Sequence, residues 1–322
     1  MAITANQRVL TLDHWKYADR LKVGDYVFDR NGTPVQIKLV QTYFVNECYE
    51  IVFDDHLTMQ GDRHMGFLLE TPKYRNRLGT YKGVQPFRRP LKHFSVGALS
   101  ALELRNYRNR KLFSLPTAKP LALPHQPLPI PPFLFGFWFM RHGVKNVMSV
   151  SNNDYDELVE RFRDYGYRVV VVERRQNNRT RFRIDPQIDL KINTIPENYL
   201  MGSIEQRTEL LSGIMSANPK QYNVAEDTFC FKTRNAHVFG QMRFLLESLA
   251  HRIRPVADQN YRIYFKSRTK LVKHQVSPPV KVHHARRYVV DIQPIQPQMC
   301  VHLETTGSDH TILVGEGFIP TC

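Results

Sequence analysis

Two short stretches constrain the fold of this chain more than any other feature. Leu134 to His142 reads LFGFWFMRH, and Leu211 to Pro219 reads LSGIMSANP. Each places a Gly two residues after a Leu, continues with apolar bulk and ends on a polar exit. Each is followed by segments that read as strand, helix and strand, so the two copies imply a domain with internal pseudo-symmetry. In the first copy the segments are Val147 to Val150 (strand), Asp154 to Tyr165 (helix, Asp154 near its cap) and Arg168 to Glu173 (strand), with Arg179 to Ile184 as a further alternating strand. In the second, an amphipathic helix ends at Pro219. Asp227 to Lys232 then reads as strand, Ala236 to Ile253 as helix and Tyr261 to Lys266 as strand.

The flanking regions differ in texture. Residues 1 to about 70 read as short strands, Arg8 to Leu12, Tyr26 to Asp29, Val35 to Tyr43 and Tyr49 to Phe53, with a hairpin-type turn at Arg30-Asn31-Gly32. Thr71 to Lys111 is basic and irregular. Seven prolines between Pro116 and Pro132 disfavour helix and mark an extended connector at a domain boundary. Arg286 to Cys322 returns to β character.

Charge narrows the partner. Forty-five Lys and Arg against thirty Asp and Glu give +15 and a pI near 9.7, which favours a polyanion; a basic soluble protein is the plainer alternative. Alternation in RTRFRI puts Arg179, Arg181 and Arg183 on one strand face, suited to a phosphate backbone or simply to solvent. With Arg174, Arg175, Lys232, Arg234, Lys266 and Arg268 they are the candidate nucleic-acid contacts, double-stranded DNA first and RNA as the alternative. Cys48, Cys230, Cys300 and Cys322 form no CxxC pair and imply reduced thiols without zinc. The longest apolar run, Ile130 to Phe139, is far short of the roughly 20 residues of a membrane helix. No signal-peptide pattern opens the chain, so a cytoplasmic protein, in a host cell if phage-encoded, is expected.

RVLTLDHWKYADRLKVGDYVFDRNGTPVQI resembles the opening of a Hint (hedgehog/intein) splicing domain, and DHTILVGEGFIPT resembles its ending. ENYLMGSIEQRTELLSGIMSANP resembles a motif helix of the LAGLIDADG homing endonucleases that such inteins carry as insertions. The proline-rich run resembles the joint between a phage-type intein's splicing half and that insertion. The resemblance implies an α+β chain: an all-β Hint domain built from both ends, interrupted by a pseudo-two-fold αββαββα domain that acts as a monomeric pseudo-dimer. Its parts would be 1-115 with a basic extension, a linker at 116-129, the endonuclease-like domain at 130-275 and the second Hint half at 285-322. Gly136 and Gly213 would then sit where the two motif helices cross.

Departures from the family pattern bear on chemistry. Active endonucleases of this type end each motif helix in an acid that holds Mg²⁺, and here Arg141 and Asn218 stand at those positions, followed by His142 and Pro219. Asp154, Glu226 and Asp227 lie beyond the helix ends and read as caps or turn residues. For splicing, Ala2 stands where a nucleophile is expected. His64 and His310 match the two helper histidines, or are ordinary surface histidines. Gly61 replaces a Thr, and the Trp expected just after His64 is missing, with Met65 and Gly66 there instead. Thr321-Cys322 closes the chain where His-Asn is usual. Cys300 and Thr321 match two members of an intein subclass that uses a downstream Cys, so Cys300 is either a residual nucleophile or a buried, inert thiol. The expectation is therefore a DNA-binding, intein-derived protein with strand cleavage and splicing impaired. An RNA-binding maturase-like or repurposed interaction protein is the alternative, and residual autoprocessing through Cys300 a third.

Overall fold

The structure is a computed structural model that describes residues 2–72, 91–141, 147–175, 177–188, 193–218, 221–256, 260–267, 269–272, 275 and 286–322. The chain divides into two compact units. The first comprises Met1–Ala122, Glu247–Arg252 and Val282–Cys322, the second Leu123–Leu246 and Ile253–Lys281.

In chain order the first unit contributes β1 (Ala2–Thr4), β2 (Arg8–Leu10), β3 (Trp15–Tyr17), β4 (Tyr26–Phe28), β5 (Pro34–Val45), β6 (Cys48–Phe53), β7 (Thr58–Asp62), β8 (Gly66–Leu69), β9 (Lys92–Ser95), the short helix α1 (Val96–Ser100) and β10 (Ser114–Pro116). The second unit supplies α2 (Pro132–Arg141), β11 (Met148–Ser151), α3 (Asn152–Asp164), β12 (Arg168–Arg175), β13 (Arg179–Asp185), α4 (Glu197–Leu200), α5 (Ile204–Ala217), β14 (Tyr222–Asn223), β15 (Thr228–Thr233), α6 (Ala236–Ser248), β16 (Ile253–Val256) and β17 (Tyr261–Phe265). The chain returns to the first unit with β18 (Arg286–Ile295), β19 (Gln298–Thr305), β20 (Ile312–Val314) and β21 (Ile319–Thr321).

One eight-stranded sheet in the order β10-β18-β6-β7-β1-β19-β5-β4 organises the first unit. The late strands β18 and β19 lie inside it, β19 between β1 and β5, so neither end of the chain can complete the sheet alone. Ile3, Val27, Phe53, Phe67, Leu115 and Val301 belong to its fully buried core. The Asn-Gly turn forms because Asp29 Oδ1 accepts the Asn31 and Thr33 amides at 2.8 and 2.9 Å, while Gly32 takes φ 73°. Charge is buried here in pairs: Arg287 Nε meets Asp55 Oδ2 at 2.6 Å and its Nη2 meets Glu247 Oε1 at 3.5 Å. Asp54 is held by Lys111 at 3.0 Å and Arg252 at 2.8 Å.

Several sequence expectations need correction. The stretch from Thr71 to Lys111 is not irregular throughout, since β9 pairs with β8 and α1 follows, capped by the Ser95 side chain on the Ala98 amide; residues 73–90 lie outside the described residues. The proline-rich segment is extended but is not a free tether. Lys119 and Ala122 donate backbone bonds to Arg30 and Gly32, and further along Gln126 exchanges two bonds with the Gln206 side chain. The second-copy helix is broken at Gly202 into α4 and α5, because Ser203 and Gln206 form a capping box that starts a new helix. It is buried almost all round in its last turns rather than on one face. Helix α6 stops at Ser248, five residues before Ile253, where Ala250 turns left-handed at φ 63° and Ile253 enters a strand. Asp227, at φ 47°, precedes β15 rather than opening it, and Ser151, not Asp154, caps α3.

The second unit repeats a plan. Strand β11, helix α3 and strands β12 and β13 make a sheet ordered β11-β13-β12. Strand β15, helix α6 and strands β16 and β17 repeat that order as β15-β17-β16, with β14 added at the outer edge. Every pairing is antiparallel. Among the described residues the first half is one strand shorter than the second.

Candidate functional site

The joint between the two repeats is built on α2 and α5. A Cβ on Gly213 would lie 2.1 Å from the Phe133 carbonyl oxygen, and one on Gly136 would lie 2.4 Å from that of Leu210. The helices therefore meet backbone to backbone, and no side chain fits between them. Aromatic packing supports the joint from beside it: the Phe135 and Tyr199 rings stack at 4.1 Å, and the Tyr199 hydroxyl donates to the Ile130 carbonyl at 2.8 Å.

Both helices end at a substituted position. Arg141 Nε donates to the Ala217 carbonyl, so a guanidinium covers the exposed carbonyl end of the neighbouring helix, where a cation is favoured. Burial, and then the nearby Arg179, push the Arg141 pKa down. Asn218 caps α5 through its backbone, donating to Met215 at 3.3 Å and accepting from Gln221 at 2.9 Å. A divalent cation needs anionic oxygens, and this end presents a guanidinium and a neutral amide, so the residues present do not fit Mg²⁺. Among the described residues no group of three or more His, Cys, Asp and Glu side chains gathers. Tyr222 donates to Asp227 at 2.7 Å, and the Glu226 backbone carbonyl accepts from Lys266 at 2.8 Å. Asp154 lines a groove of about 660 Å³ beside Glu157, Arg161 and Lys270. His142 and Pro219 lie outside the described residues.

The two sheets sort their side chains by register. In the first, Thr180, Phe182 and Ile184 point inward and are buried, while Arg179, Arg181 and Arg183 share the outer face with Ser149 and Ser151. Arg179 is anchored on Ser149 by two bonds of 3.0 Å. Glu173 accepts from Arg181 at 3.0 Å and from Arg175 at 3.2 Å, which removes part of the positive field. Arg174 pairs with the inward Thr180, so it lies on the opposite face from Arg175, which pairs with Arg179. Neighbouring strand residues cannot share a face, and the two arginines are not one patch.

In the second sheet Phe229, Phe231, Ile263 and Phe265 are buried. Lys232 pairs with Arg262 and Arg254 with Tyr264 on the outer face, the Arg254 guanidinium lying 4.8 Å from the Tyr264 ring centroid. Arg254 and Arg262 carry no motif of their own, although their alternation with Ile253 and Ile263 is a usable signal in the sequence. Arg234 lies beyond the strand and donates to Asn260 at 3.3 Å, and Lys266 is exposed at the end of β17. Arg268 lies outside the described residues.

In the first unit Ala2, Cys48 and Cys300 form a small buried cluster of their own. Thr4 pairs with Cys300 and Ile3 with Gly61. The Cys300 thiol is pushed up to about 12, by burial first, then by Cys48 and Asp62. The Asp62 carboxylate accepts the His64 and Met65 amides at 3.1 and 2.7 Å. His64 and His310 are exposed, and neither hydrogen-bonds to Cys300 or Thr321. Thr321 is buried, and its hydroxyl donates to the Gly66 carbonyl at 3.0 Å; Gly66 and Cys322 exchange two backbone bonds of 2.6 and 2.9 Å. Both glycines here are crowded. A Cβ on Gly61 would meet the Met65 sulfur at 2.5 Å and the Ala2 carbonyl at 2.7 Å, and one on Gly66 would meet His93 Nε2 at 2.1 Å. Cys48 and His93 carried no motif that marked them in advance, and Met65 was marked only as standing where a Trp is expected.

No protein-family profile matches the chain. Its sequence is similar to that of a replicative DNA helicase DnaB from Mycobacterium intracellulare, 21% identical over 333 residues, covering 95% of this chain and 56% of that protein. The chain thus spans little more than half the length of the curated relative. Among solved structures, the MchDnaB-1 intein aligns at 15% identity over 34% of this chain and 65% of its own, with a TM-score of 0.23. The gp41-1 intein aligns at 14% identity over 35% and 73%, also with a TM-score of 0.23. TM-scores this low leave the architecture to be argued from the strand pairing itself.

Proposed function

We propose that this chain is an intein-derived protein whose second unit, of LAGLIDADG type, binds duplex DNA, with strand cleavage and splicing impaired. The observation that carries the DNA-binding part is the repeated sheet. In both halves one face is packed with Phe and Ile while the other presents cations, Arg179, Arg181 and Arg183 in one and Lys232, Arg254 and Arg262 in the other. Rows of cations on a rigid strand match the charge of a phosphate backbone. The glycine crossing of α2 and α5 supports the same scaffold, and Arg141 on the Ala217 carbonyl supports loss of the metal site. Burial of the Cys300 thiol, which pushes its pKa up to about 12, supports loss of splicing.

Binding to duplex DNA measured against salt tests the reading. Replacing Arg179, Arg181 and Arg183 together by Ser is expected to weaken binding at least tenfold and to lower the salt slope by about 0.9 for each phosphate left without its cation. Unchanged affinity and slope would refute the DNA face. Structured RNA that outcompetes duplex DNA at every salt concentration would move the assignment to the RNA-binding alternative. Nicking of supercoiled DNA with Mg²⁺ or Mn²⁺ would overturn the claim that cleavage is lost.

A further inference from the structure

Cys48 opens β6 and Cys300 lies within β19, and in the sheet order two strands, β7 and β1, stand between them. At strand spacings near 4.8 Å a flat sheet would hold the two residues about 14 Å apart. Their sulfurs are 3.9 Å apart instead: Ile295 at the end of β18 pairs with Cys48, and the chain turns within two residues into β19, which brings Cys300 into van der Waals contact. Both residues are buried, Cys48 at 1% and Cys300 at 0% exposure, in a cluster separate from the main core. Among the described residues, Ala2 and the half-buried Val45 and Ile295 complete that cluster.

The geometry points to Cys48 and Cys300 as a redox site: a two-electron oxidant of the peroxide class joins them in an intramolecular disulfide. An S–S bond is about 2.05 Å long, so closing it takes about 2 Å of approach shared between two side chains whose sulfurs already touch. Peroxide oxidises the Cys48 thiol to a sulfenic acid and releases one water, leaving Cys300 as the resolving thiol. The second sulfur then attacks that sulfenic sulfur, the S–S bond forms, the S–O bond breaks and a second water leaves. Both thiol protons end in water. The product is neutral, which suits a buried site that has Ala2, Val45 and Ile295 around it and the Asp62 carboxylate nearby better than a thiolate does. It would tie together residues 252 apart in sequence, next to β1, and consume the Cys300 thiol. The inference is independent of DNA binding.

The test uses the full chain, folded, exposed to hydrogen peroxide, quenched, then denatured in a maleimide and mapped by mass spectrometry without reductant. The expected result is that two of the four cysteines escape labelling, that the Cys48 and Cys300 peptides are linked, and that dithiothreitol restores four labelled thiols. Cys48→Ser should abolish the link and Cys230→Ser should leave it intact; near-UV circular dichroism verifies that each variant is folded. Four labelled cysteines after oxidation, a link through Cys230 or Cys322, sulfinic acid at Cys300 without a link, or a link that forms only in urea would each overturn the proposal.

Discussion

Gly136 and Gly213 in the second unit, and Gly61 and Gly66 in the first, all stand where a Cβ would come within 3 Å of another atom. The nearest neighbours differ in kind. At the helix crossing they are main-chain carbonyls and amides of the opposite helix, which cannot step aside without separating the repeats. At Gly61 and Gly66 the nearest atoms are the Met65 thioether and the His93 imidazole, flexible side-chain ends, with the Ala2 and Cys322 carbonyls next at 2.7 and 2.9 Å. The first pair of glycines makes an architecture possible. The second marks a site where movable side-chain ends lie nearest, so the two regions should respond differently to the same kind of substitution.

The largest effect is expected at the crossing. Gly213→Ala should cost about 3 kcal/mol, the upper end of overpacking penalties, because its methyl meets backbone; urea unfolding followed through Trp138 fluorescence would measure it. A cost under about 1 kcal/mol would mean that α2 and α5 can slide apart, and the distinction between the regions would fail. Gly61→Ala should cost less, about 1–2 kcal/mol, and less still in a Met65→Ala background. A double-mutant cycle should return a coupling of at least about 0.5 kcal/mol; additive costs would show that the Ala2 backbone, not Met65, fills the space. The smallest effect is electrostatic. Burial alone would raise the Asp54 carboxyl, but the Tyr288 amide, Lys111 and Arg252 outweigh it and hold it below its ordinary 3.8. A depressed carboxyl contributes stability that is present above pH 3.8 and lost as pH falls through the lower folded value. Asp54→Asn should therefore flatten the dependence of the urea midpoint on pH below that point while leaving the rest of the curve alone.

Local chemistry was readable wherever it acts over a few residues. Asn31-Gly32 makes a turn, Tyr26 to Phe28 and Cys48 to Phe53 make strands near their expected bounds, and 132–141 makes a helix because its apolar run follows two prolines. Errors came where a distant partner or an early cap decided. Helix α6 ends before Ile253 because that residue is drawn into pairing with Phe265, and α5 begins late because Ser203 caps it. The register irregularity between Val171 and Glu173 in β12 precedes the point where Arg174 and Arg175 separate onto opposite faces.

Residue order alone makes this a basic chain of mixed α and β structure, rich in strand, with two glycine-bearing apolar segments and a proline-rich stretch between textures. Those properties follow from composition and from periodicity over less than twenty residues. It takes the folded chain to show that β18 and β19 complete a sheet begun by residues near the start of the chain. The fold alone brought the Cys48 and Cys300 sulfurs to 3.9 Å, set Arg141 on the end of another helix and added Arg254 and Arg262 to a cationic face. The physical reason is the same in each case: these contacts join residues far apart in sequence, and their geometry depends on strand order, register and coil, which no local preference encodes.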